Sequence, residues 1–413
     1  MTTPDTPPKK RRFKWMQAAI GLLVLGVVVG LAVYLTSDSF RDAVRSRVVA
    51  ELERMTGGKV EIQSFTWNLS QLHFEARGLT IHGLEGPGEE PYVRADRVSL
   101  RLKIISLVSR QVALRELVID HLALHLIVNP DGSTNQPRPG SSAPGEGLST
   151  ERLVDLAVSR VQVNDGTLLL NQERIPFEIA GGEFAVAMAY SAKDRGYDGT
   201  VSVSLAAARW RRSTLPPGKI DLHFLMRANE TEVRRLQVAT GRSTIEASGL
   251  VRNYNHPSLQ MQYQAQLDLP EVAKQTSTPQ LRAGRADLKG TLVYKDGRYN
   301  TEGTAEVRGA EWRDASWRAS GVDAAFPFSI TPEKIALPRF STRVFGGSAQ
   351  GELQITNWSM PSGAKKPPPL KGTAKVQLER MQIGQMAEAI STAGLPLNKI
   401  DMAGSASGEV TAS

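Results

Sequence analysis

The chain contains no cysteine. That excludes disulfides, thiol catalysis and thiolate-held metals, and it is compatible with an oxidising compartment. Aromatic residues are scarce, at 6% against 41% hydrophobic residues, so any apolar surface is built mainly from Val, Leu, Ile, Met and Ala. Acidic side chains are the minority, 42 against 50 basic, for a net charge of +8. Residues 1–36 hold five basic groups and one acid, half of that excess. The remainder is mildly basic and has no Lys/Arg cluster interleaved with aromatics, so no nucleic-acid partner is expected.

Catalytic signatures are also missing. No G-x-x-x-x-G-K-[ST] occurs, and Gly346-Gly347-Ser348 is followed by Gln350, where a nucleophile elbow needs glycine. His121 and His125 are spaced as metal ligands on a helix, but Leu122, Leu124 and Leu126 mark a strand there. That places the two histidines on its polar face, ~13 Å apart. No catalytic residue, metal site or cofactor is expected, and the chain reads as a non-enzyme.

One long hydrophobic run is present. Ala18–Leu35 (AAIGLLVLGVVVGLAVYL) is unbroken, long enough at ~1.5 Å per residue to cross most of a ~30 Å hydrocarbon core. Leu22, Leu23, Leu25, Val28 and Leu31 would face lipid, with Trp15 and Tyr34 at the two interfaces. Lys9, Lys10, Arg11, Arg12 and Lys14 crowd one flank, so the positive-inside rule puts residues 1–17 in the cytoplasm as a basic tail, 18–36 across the membrane and the body outside. A cleaved signal peptide is the alternative, but the run exceeds the usual apolar core and no A-x-A site follows.

Phe40, Val44, Val48, Leu52 and Met55 recur at helical spacing and predict a helix over 37–55, ended by Gly57-Gly58. After Gly58 the pattern changes to period two. Val98, Leu100, Leu102 and Ile104 alternate with polar residues. So do Leu122, Leu124, Leu126 and Val128; Val201, Val203 and Leu205; and Met261, Tyr263, Leu267 and Leu269. Each run predicts a strand with one dry and one wet face, as in antiparallel sheets.

Asn164-Asp165-Gly166, Lys295-Asp296-Gly297 and Gly346-Gly347 read as hairpin turns. The stretch 129–150 is rich in Pro, Gly and Ser, and reads as a long loop between a unit at 37–128 and a repeating β region at 151–413. About 12–16 residues per strand and turn predicts roughly 22–30 strands. Amphipathic helices are scarce; Ile383–Ala393 is the best candidate, and Glu271–Gln275 is short. A one-faced sheet without covering helices must close, pack on a second sheet, or curl into a trough.

The stretch Ala95–Asn135 (ADRVSLRLKIISLVSRQVALRELVIDHLALHLIVNPDGSTN) resembles the N-terminal region of AsmA-like proteins. Leu107, Val112, Leu117, Ile119, Asp120, Leu124, Asp131, Gly132 and Asn135 carry the pattern. The strands at LQVATGRSTIEASGLVRNYNHPSLQMQYQAQLDL and STRVFGGSAQGELQI are similar to repeats of AsmA and TamB-type proteins. Many such relatives run on into a C-terminal domain, whereas this chain stops at Ser413 in a strand-like stretch, as a fragment or short member would.

The resemblance implies a mainly β protein: a transmembrane helix, an amphipathic helix, then a long, twisted, curled antiparallel sheet forming an apolar groove. It implies a single-pass anchor in a bacterial inner membrane with the body in the periplasm, phospholipid as partner, and a role in outer-membrane biogenesis. A scaffold for outer-membrane proteins, met through strand edges, is the alternative, and a hydrolase with an unrecognised site is a more distant one. On alternation alone the apolar runs read as an ordinary packed core; the resemblance turns them into a groove.

Overall fold

The computed structural model describes residues 37–412, apart from 69, 87, 104–113, 130–132, 139–157, 173–176, 211–212, 255–256, 277, 316, 359–368, 391–396 and 398–401. The membrane-anchor residues Trp15 to Tyr34 and the strand candidate Ile104 lie outside the described residues. No helix among the described residues is long and apolar enough to cross a membrane.

Helix α1 (Asp38–Thr56) begins where expected, with the Ser37 hydroxyl accepting from the Phe40 N–H at 3.3 Å. Gly57 ends it in the left-handed conformation, φ 76°, a position that glycine fills without steric cost. The expected stripe of Phe40, Val44, Val48 and Leu52 is half-buried, while Met55 is exposed.

Among the described residues nineteen strands follow in one open, curled sheet. They begin with β1 (Val60–Asn68), β2 (His73–Ile81), β3 (Val93–Leu102), β4 (Leu114–Val128), β5 (Arg160–Gln172) and β6 (Phe177–Ser191). Next come β7 (Gly196–Trp210), β8 (Ser213–Leu215), β9 (Gly218–Met226), β10 (Glu230–Thr240), β11 (Ser243–Arg252) and β12 (Ser258–Asp268). After helix α2 (Leu269–Gln275) lie β13 (Leu281–Lys295), β14 (Arg298–Arg313), β15 (Arg318–Ile330), β16 (Lys334–Val344) and β17 (Gly347–Thr356). The described chain ends with β18 (Lys371–Gln382), helix α3 (Ile383–Ile390) and β19 (Ser405–Ala412). Strands of up to 16 residues make the count lower than the turn spacing predicts.

Neighbours in sequence are neighbours in the sheet, except that β8 forms a short ladder on β7 and β9 continues from β7. Three expectations need correction. The sheet is not wholly antiparallel: β4 and β5 run parallel. A parallel pair needs a long crossover, and the residues between Val128 and Arg160 are long enough to be it. Asn164-Asp165-Gly166 is not a hairpin turn but lies inside β5, at a shift in its register with β6. Leu269 is not a strand residue but opens α2, whose start is capped by Asp268 accepting from the Glu271 N–H at 3.2 Å. By contrast, Asp296-Gly297 does turn β13 into β14, with both residues at positive φ, as a type I′ hairpin requires.

The shift at Asp165 is one of a row. Ile119 and Leu124 are out of phase in an ideal strand, yet both connect to β7. Ile119 pairs with Val163, which pairs with Val186 and then Val201. Leu124 pairs with Leu168, then Gly181 and Leu205. Val201 and Leu205 lie on one face of the unbroken β7, and cross-strand partners share a face. Ile119 and Leu124 therefore project from the same face, because the alternation is re-phased at His121 (φ 53°), Asp165 (φ 51°) and Glu183 (φ 51°), which lie beside one another in β4, β5 and β6. Such irregularities bend a strand and increase its twist.

Candidate functional site

A single apolar face runs across the sheet. Starting at β1, Trp67 pairs with Phe74, Phe74 with Leu100, Leu100 with Leu117, and Leu117 with Val161. The row continues through Met188, Gly199, Phe224, Val233 and Gly249 to Met261. It proceeds through Leu292, Thr301, Ile330, Ile335 and Ile355 to Gly372 in β18. Thr301 is the one polar member, and its hydroxyl is bonded at 2.7 Å to that of Tyr263. The sequence-predicted Leu100 and Met261 sit in this row.

Val98 lies in the adjacent row through Ile119. Leu122 and Leu124 pair back to Ala95 and Val93, and Leu126 pairs with Leu170. Leu102 pairs with Leu114, Val128 with Gln172, Tyr263 with Gly290, and Leu267 with Ala286.

Burial along this face is uneven. Val98, Leu100, Leu102, Leu122, Leu124, Leu126 and Val128 are all half-buried, as are Val201, Met261, Tyr263 and Leu267. Val203 and Leu205 are instead buried, at 5% and 9% exposure. Leu269 packs with Ala286 and Ala310 beneath α2, so it belongs to a closed core. Half-burial of large apolar side chains over many strands means that, among the described residues, no second layer covers them.

At the β1 end the face meets α1. Phe40 meets Trp67 edge-on at 5.6 Å, and Phe65 stands 5.8 Å from Trp67 and 6.4 Å from Phe74. The helix also satisfies the outer edge of β1: Arg45 donates to the Gln63 carbonyl at 3.2 Å, and the Val60 N–H donates to Glu53 at 3.0 Å. An edge covered in this way cannot template pairing with another strand. The aromatic cluster was not a sequence candidate; spacing of Phe65 and Trp67 by two was its available signal.

The opposite face is polar and ion-paired. Asp120, 9% exposed, accepts from Asn164 at 2.8 Å and from Arg97 at 2.6 Å. These bonds, Asn164 first, hold its carboxyl below the ordinary carboxylate range. Asp198 is lowered likewise, by His223 at 3.0 Å and then by Arg234. Arg235 donates to Glu246 at 2.8 Å beside a cavity of about 580 Å³ that also includes Gln262, Gln264 and Lys289.

His121 lies 3.6 Å from Asp96, and His125 faces the Glu90 carbonyl at 3.2 Å. No group of three His, Asp or Glu among the described residues is arranged to hold a metal. Asn135, part of the resemblance motif, has a structural task. Its side chain accepts from the Ile127 N–H at 2.9 Å and donates to the His125 carbonyl at 2.8 Å, and its own carbonyl accepts from Leu84. It thus stitches the end of β4 to the loop after β2.

No protein-family profile and no curated protein matches the chain.

Proposed function

We propose that the chain is a non-catalytic, inner-membrane-anchored periplasmic protein that carries phospholipid along its apolar face between the two bacterial membranes. One observation carries this reading: the apolar row crosses the sheet from Trp67 to Gly372 while its large side chains stay mostly half-exposed. Burying a methylene from water on such a surface gains about 0.8 kcal/mol, whereas transfer from a bilayer gains little, because both surroundings are apolar. Lipid can therefore enter without being trapped. The anchor expected at 18–36 would fix the α1 end near the bilayer, and the Phe40–Phe65–Trp67–Phe74 cluster lies at that end.

Photo-crosslinking residues at Leu102, Leu124 and Leu267 of the full chain in cells should capture phospholipid. Capture of no lipid at any of the three, in folded protein, contradicts the reading. A second reading is a scaffold that pairs with outer-membrane proteins through strand edges. It predicts protein adducts rather than lipid, with crosslinkers at Val410.

A further inference from the structure

The stretch from β5 to β10 differs from the face over β2–β4 and from the face over β12–β17. There, large side chains of the apolar face are buried: Val163 (7%), Tyr197 (1%), Val203 (5%), Phe224 (7%) and Val233 (8%). From β12 to β17 the apolar residues buried within strands are alanines, Phe328 excepted, and the other large ones stay half-exposed. Phe224 lies across the glycine opposite it: a Cβ on Gly199 would stand 2.8 Å from both the Phe224 Cζ and the Met188 Cγ. Tyr197 meets Tyr190 edge-on at 5.4 Å and packs with Val158, closing the same stretch at its rim.

We propose that β5–β10 form a closed waist dividing the apolar face into two acyl-binding troughs, with Phe224 as the side chain that must swing away for a chain to pass. This rests on the lipid reading above. Gly199 lets the ring lie down, and Met188 beside it is an unbranched side chain that yields by rotamer change. Phe224 thus sets the clearance between a trough over β2–β4 and another over β11–β17.

The test is a crosslinking scan of the full chain in cells, with the photoreactive residue at Leu124, at Met261, and at the waist positions Val203 and Val233. Phospholipid should be captured at Leu124 and Met261 and severalfold less at both waist positions. Phe224→Ala, or Met188→Ala should the first variant fail to fold, should raise waist capture toward that of the flanks, with protease resistance confirming the fold. Equal capture at all four positions in the unsubstituted chain overturns the waist. A gap unchanged in both folded variants overturns the role of Phe224. Lipid at none of the four positions instead overturns the lipid reading, and the waist as a gate with it.

Discussion

The waist and the trough that follows it are built from the same kind of antiparallel strands, yet they bury different residues. On the apolar face of the waist the buried side chains are Val163, Tyr197, Val203, Leu205, Phe224 and Val233, and Leu225 is buried behind them on the opposite face. In the strands of the trough the buried apolar side chains are Ala265, Ala286, Ala305, Ala310, Ala319 and Ala349, with Phe328 the one large exception. Alternation is equally good in both, so period two places a side chain on a face but does not say whether anything lies above it. Side-chain size at the buried positions does: large buried residues fill the space over the sheet, whereas buried alanines leave it unfilled.

The largest expected effect follows directly. Tyr197→Ala in the waist should lower stability in denaturant titrations by about 3–5 kcal/mol, as truncation of a buried aromatic does. Leu292→Ala in the trough should cost only about 1 kcal/mol, because the side chain is half-exposed to begin with. Equal losses would erase the distinction.

Next in size is the polar face behind the first trough. Asp120→Asn should cost about 1–3 kcal/mol by unmaking bonds to Arg97 and Asn164. Its carboxyl is lowered in the folded chain, so its contribution is present above the unfolded value of about 3.9 and fades as pH falls through the lower folded value. The gap between the variant and the natural chain should therefore narrow at acid pH in parallel melts.

The two regions also re-phase their strands differently. The N-terminal side uses His121, Asp165 and Glu183 beside Gly78 at positive φ, whereas the trough uses the glycines Gly284, Gly309 and Gly321. A Cβ at Gly309, φ 60°, would touch nothing, so Gly309→Ala should lose about 1 kcal/mol from backbone strain alone. His121→Gly should do the reverse and gain about 0.5 kcal/mol, since relief of strain is partly offset by the freer unfolded chain. Thermal melts check both.

Much of the fold was legible. Strict alternation in 98–102, 122–128 and 261–267 marked true strands, and apolar spacing in 40–52 marked α1. The parallel pair was not legible, because strand direction depends on a partner distant in sequence. Leu117, Ile119 and Val161 were missed as face residues because the phase changes at His121 and Asp165, and a period-two template treats such a break as the end of a strand. Leu269 continued the alternation of β12 perfectly, yet Asp268 caps a helix there, with Pro270 in its first turn. The size contrast between waist and trough was present in the sequence but had no meaning until register placed those residues on one face.

The most direct test of the central claim is lipid retention by face. The full chain, purified gently and examined by native mass spectrometry, should carry bound phospholipid. Leu124→Lys and Leu292→Lys, on the apolar face, should lose it, while Gln262→Lys, on the polar face of β12, should keep it. Phospholipid absent from the natural chain, or retained equally by all three variants, would contradict a lipid-carrying apolar face.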